Sequence, residues 1–296
     1  MLNDQSFFSI MLGCENDAPA AAAAVRRVLD EAEVGVIQRH FEPGRSLKLV
    51  ASHPAGFDRS PLIPLLKKAA REAGLAYAIY PDLAEPPEFR FAIMDMDSTL
   101  IDQEVIEELA DFAGVREHVA RVTTLAMEGK LDFQEALRER VKLLEGQPES
   151  ILIEVLERRI KATDGLDRLL EGFRKRGMKT AVVSGGFTPV VAEFARRRGL
   201  DHALANNLEV ANGKLTGQVV GEIVDAEVKK RTLLELAREY HVDPKQAVAI
   251  GDGANDLKMM SVAGLGVAFC AKPIVQETAL AAVNRRRLDD VLWLMG

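Results

Sequence analysis

Cysteine is almost missing from this chain: Cys14 and Cys270 are the only two in 296 residues. Two are far too few for a disulfide framework, so the composition points to a reducing compartment. Histidine is sparse as well. His40, His53, His118, His202 and His241 are scattered, without the H-x-x-x-H type of spacing that a zinc site uses, and a structural zinc is not expected. No stretch approaches the ~20 apolar residues that cross a bilayer. Phe7 to Cys14 is apolar, but it lacks a basic flank and runs straight into Glu15-Asn16-Asp17, so it reads as a strand rather than a signal peptide. Basic charge is in deficit too. A formal net charge of −7 argues against a nucleic-acid partner, although a small phosphorylated molecule feels the local site rather than the sum. These absences lead to the expectation of a cytoplasmic protein with neither membrane nor nucleic acid as partner.

What remains is an ordinary globular composition, 48% apolar and 28% charged, in a chain long enough for two or three domains. Residues 1–85 carry one pattern. Phe7 to Leu12 predicts a strand and Pro19 to Glu33 a helix. Val34 to Phe41 and Leu47 to Ala51 predict strands, Arg59 to Ala73 a helix, and Leu75 to Tyr80 a strand. That order, βαββαβ, is ferredoxin-like. Pro81, Pro86 and Pro87, with acids between them, read as a linker.

Beyond Phe89 the periodicity changes. Strand-like runs at Phe89–Met94, Lys179–Val183, Ala247–Ile250 and Gly264–Phe269 alternate with helical segments at Val190–Arg198, Ala226–Glu239 and Asn255–Val262. Such alternation implies a parallel, Rossmann-like sheet in an α/β core covering residues 86–101 and 164–296. Asn212-Gly213 between two short apolar runs predicts a tight hairpin. Residues 102–163 break the alternation with four helical segments, Glu104–Ala113, Val115–Met127, Phe133–Leu144 and Ser150–Ile160. Asp132 and Glu135 form a capping-box pattern, and Gly114, Gly129 and Gly146 punctuate the run. An all-helical insertion directly after a strand reads as a cap able to exclude water from a site below it.

The chemistry-bearing residues sit at strand ends. Phe91-Ala92-Ile93-Met94 runs into Asp95-Met96-Asp97, and two carboxylates at a buried strand tip are costly without a cation or a reaction to serve. A D-x-D alone is weak, because many turns contain it. A second apolar strand ends in Ser184-Gly185-Gly186, a hydroxyl beside exposed backbone N–H groups, suited to an oxyanion. Lys229 lies in a helical segment. A third strand ends in Gly251-Asp252-Gly253-Ala254-Asn255-Asp256.

In that order, these four motifs resemble those of the haloacid dehalogenase superfamily. Asp97-Ser98-Thr99-Leu100-Ile101-Asp102-Gln103-Glu104, Ala126-Met127-Glu128-Gly129-Lys130-Leu131-Asp132-Phe133 and Leu137-Arg138-Glu139-Arg140-Val141 resemble its phosphoserine phosphatase family. The resemblance runs from about Phe89 onward, with no departure at a catalytic position. It implies a Mg²⁺-dependent hydrolase acting in serine biosynthesis, with Asp95 as nucleophile and Asp97 as acid and base. Asp95, the backbone carbonyl of Asp97, and Asp252 would bind the metal, with Asp256 in support. Ser184, Gly185, Lys229 and Asn255 would hold the phosphate. Glu104 reads first as a solvated helix acid, and Arg140 as part of a charged face. The resemblance instead gives both to the amino acid part of the substrate, with Met127 and Phe133 at the pocket wall. Arg285-Arg286-Arg287 reads as a solvated basic turn. The N-terminal unit is ACT-like in pattern and is expected to serve homodimerisation or amino-acid sensing. Two rivals stand beside this reading: a phosphotransferase of the same fold using an alcohol such as homoserine, and an amino-acid sensor without catalysis.

Overall fold

The computed structural model describes residues 5–14, 18–42, 46–54, 56–127 and 130–296. In the N-terminal unit, β1 (Gln5–Gly13) leads to α1 (Ala18–Ala21) and α2 (Ala23–Glu31), then β2 (Gly35–Glu42), β3 (Ser46–Pro54), α3 (Leu62–Glu72) and β4 (Ala76–Tyr80). The helix predicted over Pro19–Glu33 is thus broken at Ala22. The four strands are antiparallel in the order β2-β3-β1-β4, the ferredoxin-like arrangement.

The core begins at β5 (Phe91–Met94), the strand that carries the acid pair. The cap follows as α4 (Val105–Phe112), α5 (Arg116–Met127), α6 (Phe133–Lys142) and α7 (Ile151–Arg158). Asp132 caps α6 with the reciprocal bonds of a capping box: its side chain accepts from the Glu135 N–H, and the Glu135 carboxylate accepts from the Asp132 N–H. The chain returns through α8 (Leu166–Lys175) to β6 (Lys179–Phe187), α9 (Thr188–Arg198), and the hairpin β7 (His202–Ala211) and β8 (Lys214–Val220). Asn212 and Gly213 at its tip both have positive φ, 53° and 74°, as a turn of this hand requires. Then come α10 (Ala226–Glu239), β9 (Ala247–Gly251), α11 (Leu257–Val262), β10 (Leu265–Phe269), α12 (Pro273–Thr278), β11 (Ala281–Val283) and a 3₁₀ segment over Leu288–Leu294.

The strands β11-β10-β9-β5-β6-β7 are parallel neighbours, and β8 closes that edge antiparallel. From β5 the chain winds outward through β6 and β7 on one side, and through β9, β10 and β11 on the other. The tip of β5 is therefore a topological switch point, where such sheets place their ligands. The sequence pattern does not anticipate the join between the two units. Strand β4 pairs antiparallel with β11, making one eleven-stranded sheet among the described residues. Both apolar layers run across that join. Phe8, Ile10 and Leu12 share a layer with Phe91 and Ile93, while Met11, Ala78 and Tyr80 share the other with Ala92 and Met94. The 3₁₀ segment lies over the N-terminal sheet, where the Tyr80 hydroxyl donates to the Leu294 carbonyl at 2.7 Å. No helix among the described residues is long and apolar enough to cross a membrane.

Candidate active site

The acid pair stands where β5 stops. Asp95 is still tied to the sheet, its N–H donating to the Ile250 carbonyl at 2.9 Å, and both Asp95 and Asp252 are buried. Lys229 reaches up from α10, wholly buried, and donates to Asp95 Oδ1 at 2.6 Å and to Asp256 Oδ1 at 2.7 Å. The other oxygen of Asp256 accepts from the Gly253 N–H at 3.0 Å, so both its oxygens are held. Gly251 has no Cβ because the Asp256 carboxylate occupies that space. Ligand oxygens of Asp95, Asp252 and Asp256 lie within 4.8 Å of one another.

Burial first, and charge crowding after it, shifts the carboxyl groups of this cluster. Burial, opposed by Lys229, pushes the Asp95 carboxyl up to about 7. Burial and then Asp256 push Asp252 up to about 6. Asp97 is raised well above the ordinary carboxyl range by burial, then by Glu104 and Asp95, and its Oδ1 has no hydrogen-bond partner. For Lys229, burial draws the pKa down but Asp256 and Asp95 outweigh it, so the ammonium stays charged. Three buried carboxylates lie together with Lys229 bonded to two of them, an arrangement of hard oxygen donors that fits a divalent cation.

The wall beside this cluster is a break in pairing. The β6–β7 ladder is interrupted between Val183 and Phe187, which leaves Ser184-Gly185-Gly186 out of the ladder. The Ser184 hydroxyl accepts from the Gly186 N–H at 2.9 Å. Asn206 of β7, fully buried, fixes this loop: its amide donates to the Gly185 carbonyl and accepts from the Val224 N–H, each at 2.8 Å. The sequence reading passes over Asn206. Its one signal is a polar residue inside the apolar run Ala203-Leu204-Ala205-Asn206.

The cap supplies the roof. A cavity of about 450 Å³ is lined by Asp95, Asp97, Ser184, Gly185, Asp252 and Asn255 from the core, and by Glu104, Phe133 and Arg140 from the cap. Ser98 donates to Glu104 Oε1 at 2.7 Å, and the Arg140 Nε donates to the Ala136 carbonyl at 3.1 Å. Burial draws the Arg140 pKa down, an effect countered by Glu104, Glu107 and Asp97. Glu104 and Arg140 are therefore not the solvated helix charges of the simpler reading. Lys229 does not line the cavity but lies beneath it, behind Asp95. Lys272, unnoticed in the sequence, does line it, and its N–H donates to the Asp252 carbonyl at 3.0 Å. The Asp97 carboxylate stands outside the three-carboxylate group. The Met127 side chain and all of Glu128 and Gly129 lie outside the described residues.

The basic turn is a correction. Arg285 makes two bonds to the buried carboxylate of Asp290, at 3.0 and 3.1 Å, and Arg287 two to Asp289, both at 3.0 Å. Arg286 reaches Asp102 at the entry to the cap. Three consecutive arginines look solvated only because every partner is remote or on the following turn.

A family model of haloacid dehalogenase-like hydrolases matches residues 92–261. A phosphoserine phosphatase from Streptomyces coelicolor is 42% identical over 287 residues, covering 97% of this chain and 69% of that one. This chain spans 62% to 69% of the length of several curated relatives it matches. Among solved structures, a haloacid dehalogenase family hydrolase from Salmonella enterica serovar Typhi superposes with a TM-score of 0.84 at 29% identity, over 98% of each chain. A phosphoserine phosphatase with a phospho-aspartyl intermediate analogue gives a TM-score of 0.65 at 42% identity, over 70% of this chain and 98% of that one.

Proposed function

The chain belongs to the haloacid dehalogenase-like hydrolase family, and from that premise we propose that it hydrolyses phosphoserine to serine and inorganic phosphate. The observation that carries this reading is the single cavity with Asp95 and Asp97 on its floor and Glu104 and Arg140 on its cap side. Phosphoserine has a phosphate at one end, and an ammonium and a carboxylate at the other. The floor suits the first, and one acid and one planar two-donor fork suit the second.

Each step balances with the groups present. Asp95 attacks phosphorus; the bond from phosphorus to the serine oxygen breaks, and Asp97, whose burial and neighbouring acids favour the protonated form, gives that oxygen its proton. Water then attacks the phosphorus of the aspartyl-phosphate and loses its proton to Asp97. Phosphate leaves, and both acids return to their starting states. Lys229 fixes Asp95 Oδ1, leaving Oδ2 for attack. Ser184, the Gly185 N–H and Asn255 are assigned to the phosphoryl oxygens, with the Lys229 charge close behind. Phe133 and Met127 are assigned to the pocket wall. Asp95, Asp252 and the Asp97 carbonyl would hold Mg²⁺, whose charge screens the carboxylates from the phosphate dianion; Asp256 supports them.

Among the described residues, the N-terminal unit contributes no group to the cavity, and we assign it to dimerisation or amino-acid sensing. A chain with only two cysteines is in keeping with a cytoplasmic setting. The test is phosphate release from a panel of phosphorylated small molecules with Mg²⁺. Phosphoserine should be the best substrate; a new phosphoester in place of free phosphate, when homoserine is supplied, would favour the phosphotransferase.

A further inference from the structure

We propose that Arg286 is a positioning residue that latches the hinge between core and cap, and through it sets the geometry of Asp97 and Glu104. The inference rests on the hydrolase reading above, but the latch itself has a readout that needs no substrate.

The two chain crossings between core and cap lie side by side. Ile101 on the outgoing strand and Ala162 on the returning one form an antiparallel bridge. The Asp102 N–H donates to the Lys161 carbonyl at 2.9 Å, and the Thr163 N–H to the Leu100 carbonyl at 3.0 Å. Any motion of the cap relative to the sheet must pass through this short ribbon. The outgoing crossing starts from an awkward turn: Ser98 has φ of 55°, a left-handed conformation for a residue with a side chain. It persists only where the surroundings hold it. Asp97 precedes that residue, and the Ser98 hydroxyl is the group bonded to Glu104.

Arg286 grips this turn from outside. Its Nε donates to Asp102 Oδ1 at 2.7 Å, its Nη2 to the Ile101 carbonyl at 3.2 Å, and its Nη1 to the Ser98 carbonyl at 3.5 Å. Three donors in one plane meet three acceptors on one turn, which a flexible ammonium could not reproduce. The base of the latch is braced on both sides by the paired bonds of Arg285 with Asp290 and Arg287 with Asp289. Asp289 is seated against Gly165, where a Cβ would collide with it, at the start of α8 just after the returning crossing. The backbone that carries Arg286 is thus held by its neighbours' ion pairs, while its guanidinium is fixed to the hinge.

The Arg286 side chain is 40% exposed, so the pair adds little to global stability. What it adds is position. Arg286→Ala should therefore leave the melting temperature nearly unchanged. It should speed hydrogen exchange at the Asp102 and Thr163 amides relative to those of β5 and β9. It should lower kcat/KM for phosphoserine about ten-fold, in the range expected for a lost charge-assisted hydrogen bond. An aryl phosphate, which uses Asp97 but not Glu104, should lose less.

Asp102→Ala should act through the same contact, so the double variant should be no worse than the poorer single one. Unchanged hinge exchange in Arg286→Ala would overturn the latch. Additive losses in the double variant, or equal losses on both substrates in step with a fallen melting temperature, would do so too. If the wild type releases no phosphate from phosphoserine, the functional reading fails, and the exchange measurement still decides the latch.

Discussion

Asp95 has to be ionised to attack phosphorus, yet its surroundings favour the neutral acid. Burial pushes it up to about 7, and Asp252 to about 6, while an unfolded aspartate titrates near 3.8. The sign of the consequence follows. Between those values the folded metal-free chain binds more protons than the unfolded one, so its stability falls as pH rises from about 4 to 7. A divalent cation binds the ionised form and should flatten that slope. Thermal melts across this range, with chelator and with Mg²⁺, check it; a metal-free melting temperature that rises with pH would contradict it. The proposed function assigns the specificity to Arg140, on the cap side of the cavity. Removing one partner of a buried charged contact costs roughly 2–5 kcal/mol, or ~30- to several-thousand-fold. Arg140→Ala should lower kcat/KM for phosphoserine by that factor and barely affect an aryl phosphate, as paired steady-state assays would show. The acids at strand tips were legible because strand and acid are adjacent in sequence. Asn206 and Arg286 were not, because their contacts reach 21 and 184 residues away.

Elements with a strong period and a cap residue were easy to place. Helix α10 begins at Ala226, after the Asp225 side chain that accepts from the N–H groups of Glu227 and Val228, and it runs over the predicted span. Helix α6 was similarly marked, and its capping box matters because the helix carries both Phe133 and Arg140 into the cavity. Asp132→Ala should cost ~0.5–2 kcal/mol of stability, read by denaturant unfolding. It should also weaken phosphoserine binding without touching the floor of the site; a rise in KM for an aryl phosphate as large as that for phosphoserine would argue otherwise. Strand β11, three residues long, and the 3₁₀ segment at Leu288–Leu294 gave no such signal. Their form is imposed by the sheet edge and the N-terminal face they meet, not by local propensity.

Across the whole molecule, the proline-rich stretch at 81–87 reads as a linker in sequence but spans no gap in the fold. Strand β4 continues the core sheet by pairing with β11, and the Tyr80 hydroxyl fastens it to Leu294. A chain starting near Glu85 would bare the β11 edge and the apolar surface beneath Tyr80, so it should melt lower and self-associate. Thermal melting and size-exclusion chromatography would measure both; an unchanged, monodisperse protein would show that the shared sheet contributes nothing. The central claim is that phosphorus passes through Asp95, and an acid quench during turnover of phosphoserine tests it most directly. Peptide mass spectrometry of the quenched protein should find one phosphoryl group on Asp95, and none in Asp95→Asn, which should also release no phosphate. A phosphoryl group on another residue, or phosphate release by Asp95→Asn at the wild-type rate, would contradict the account.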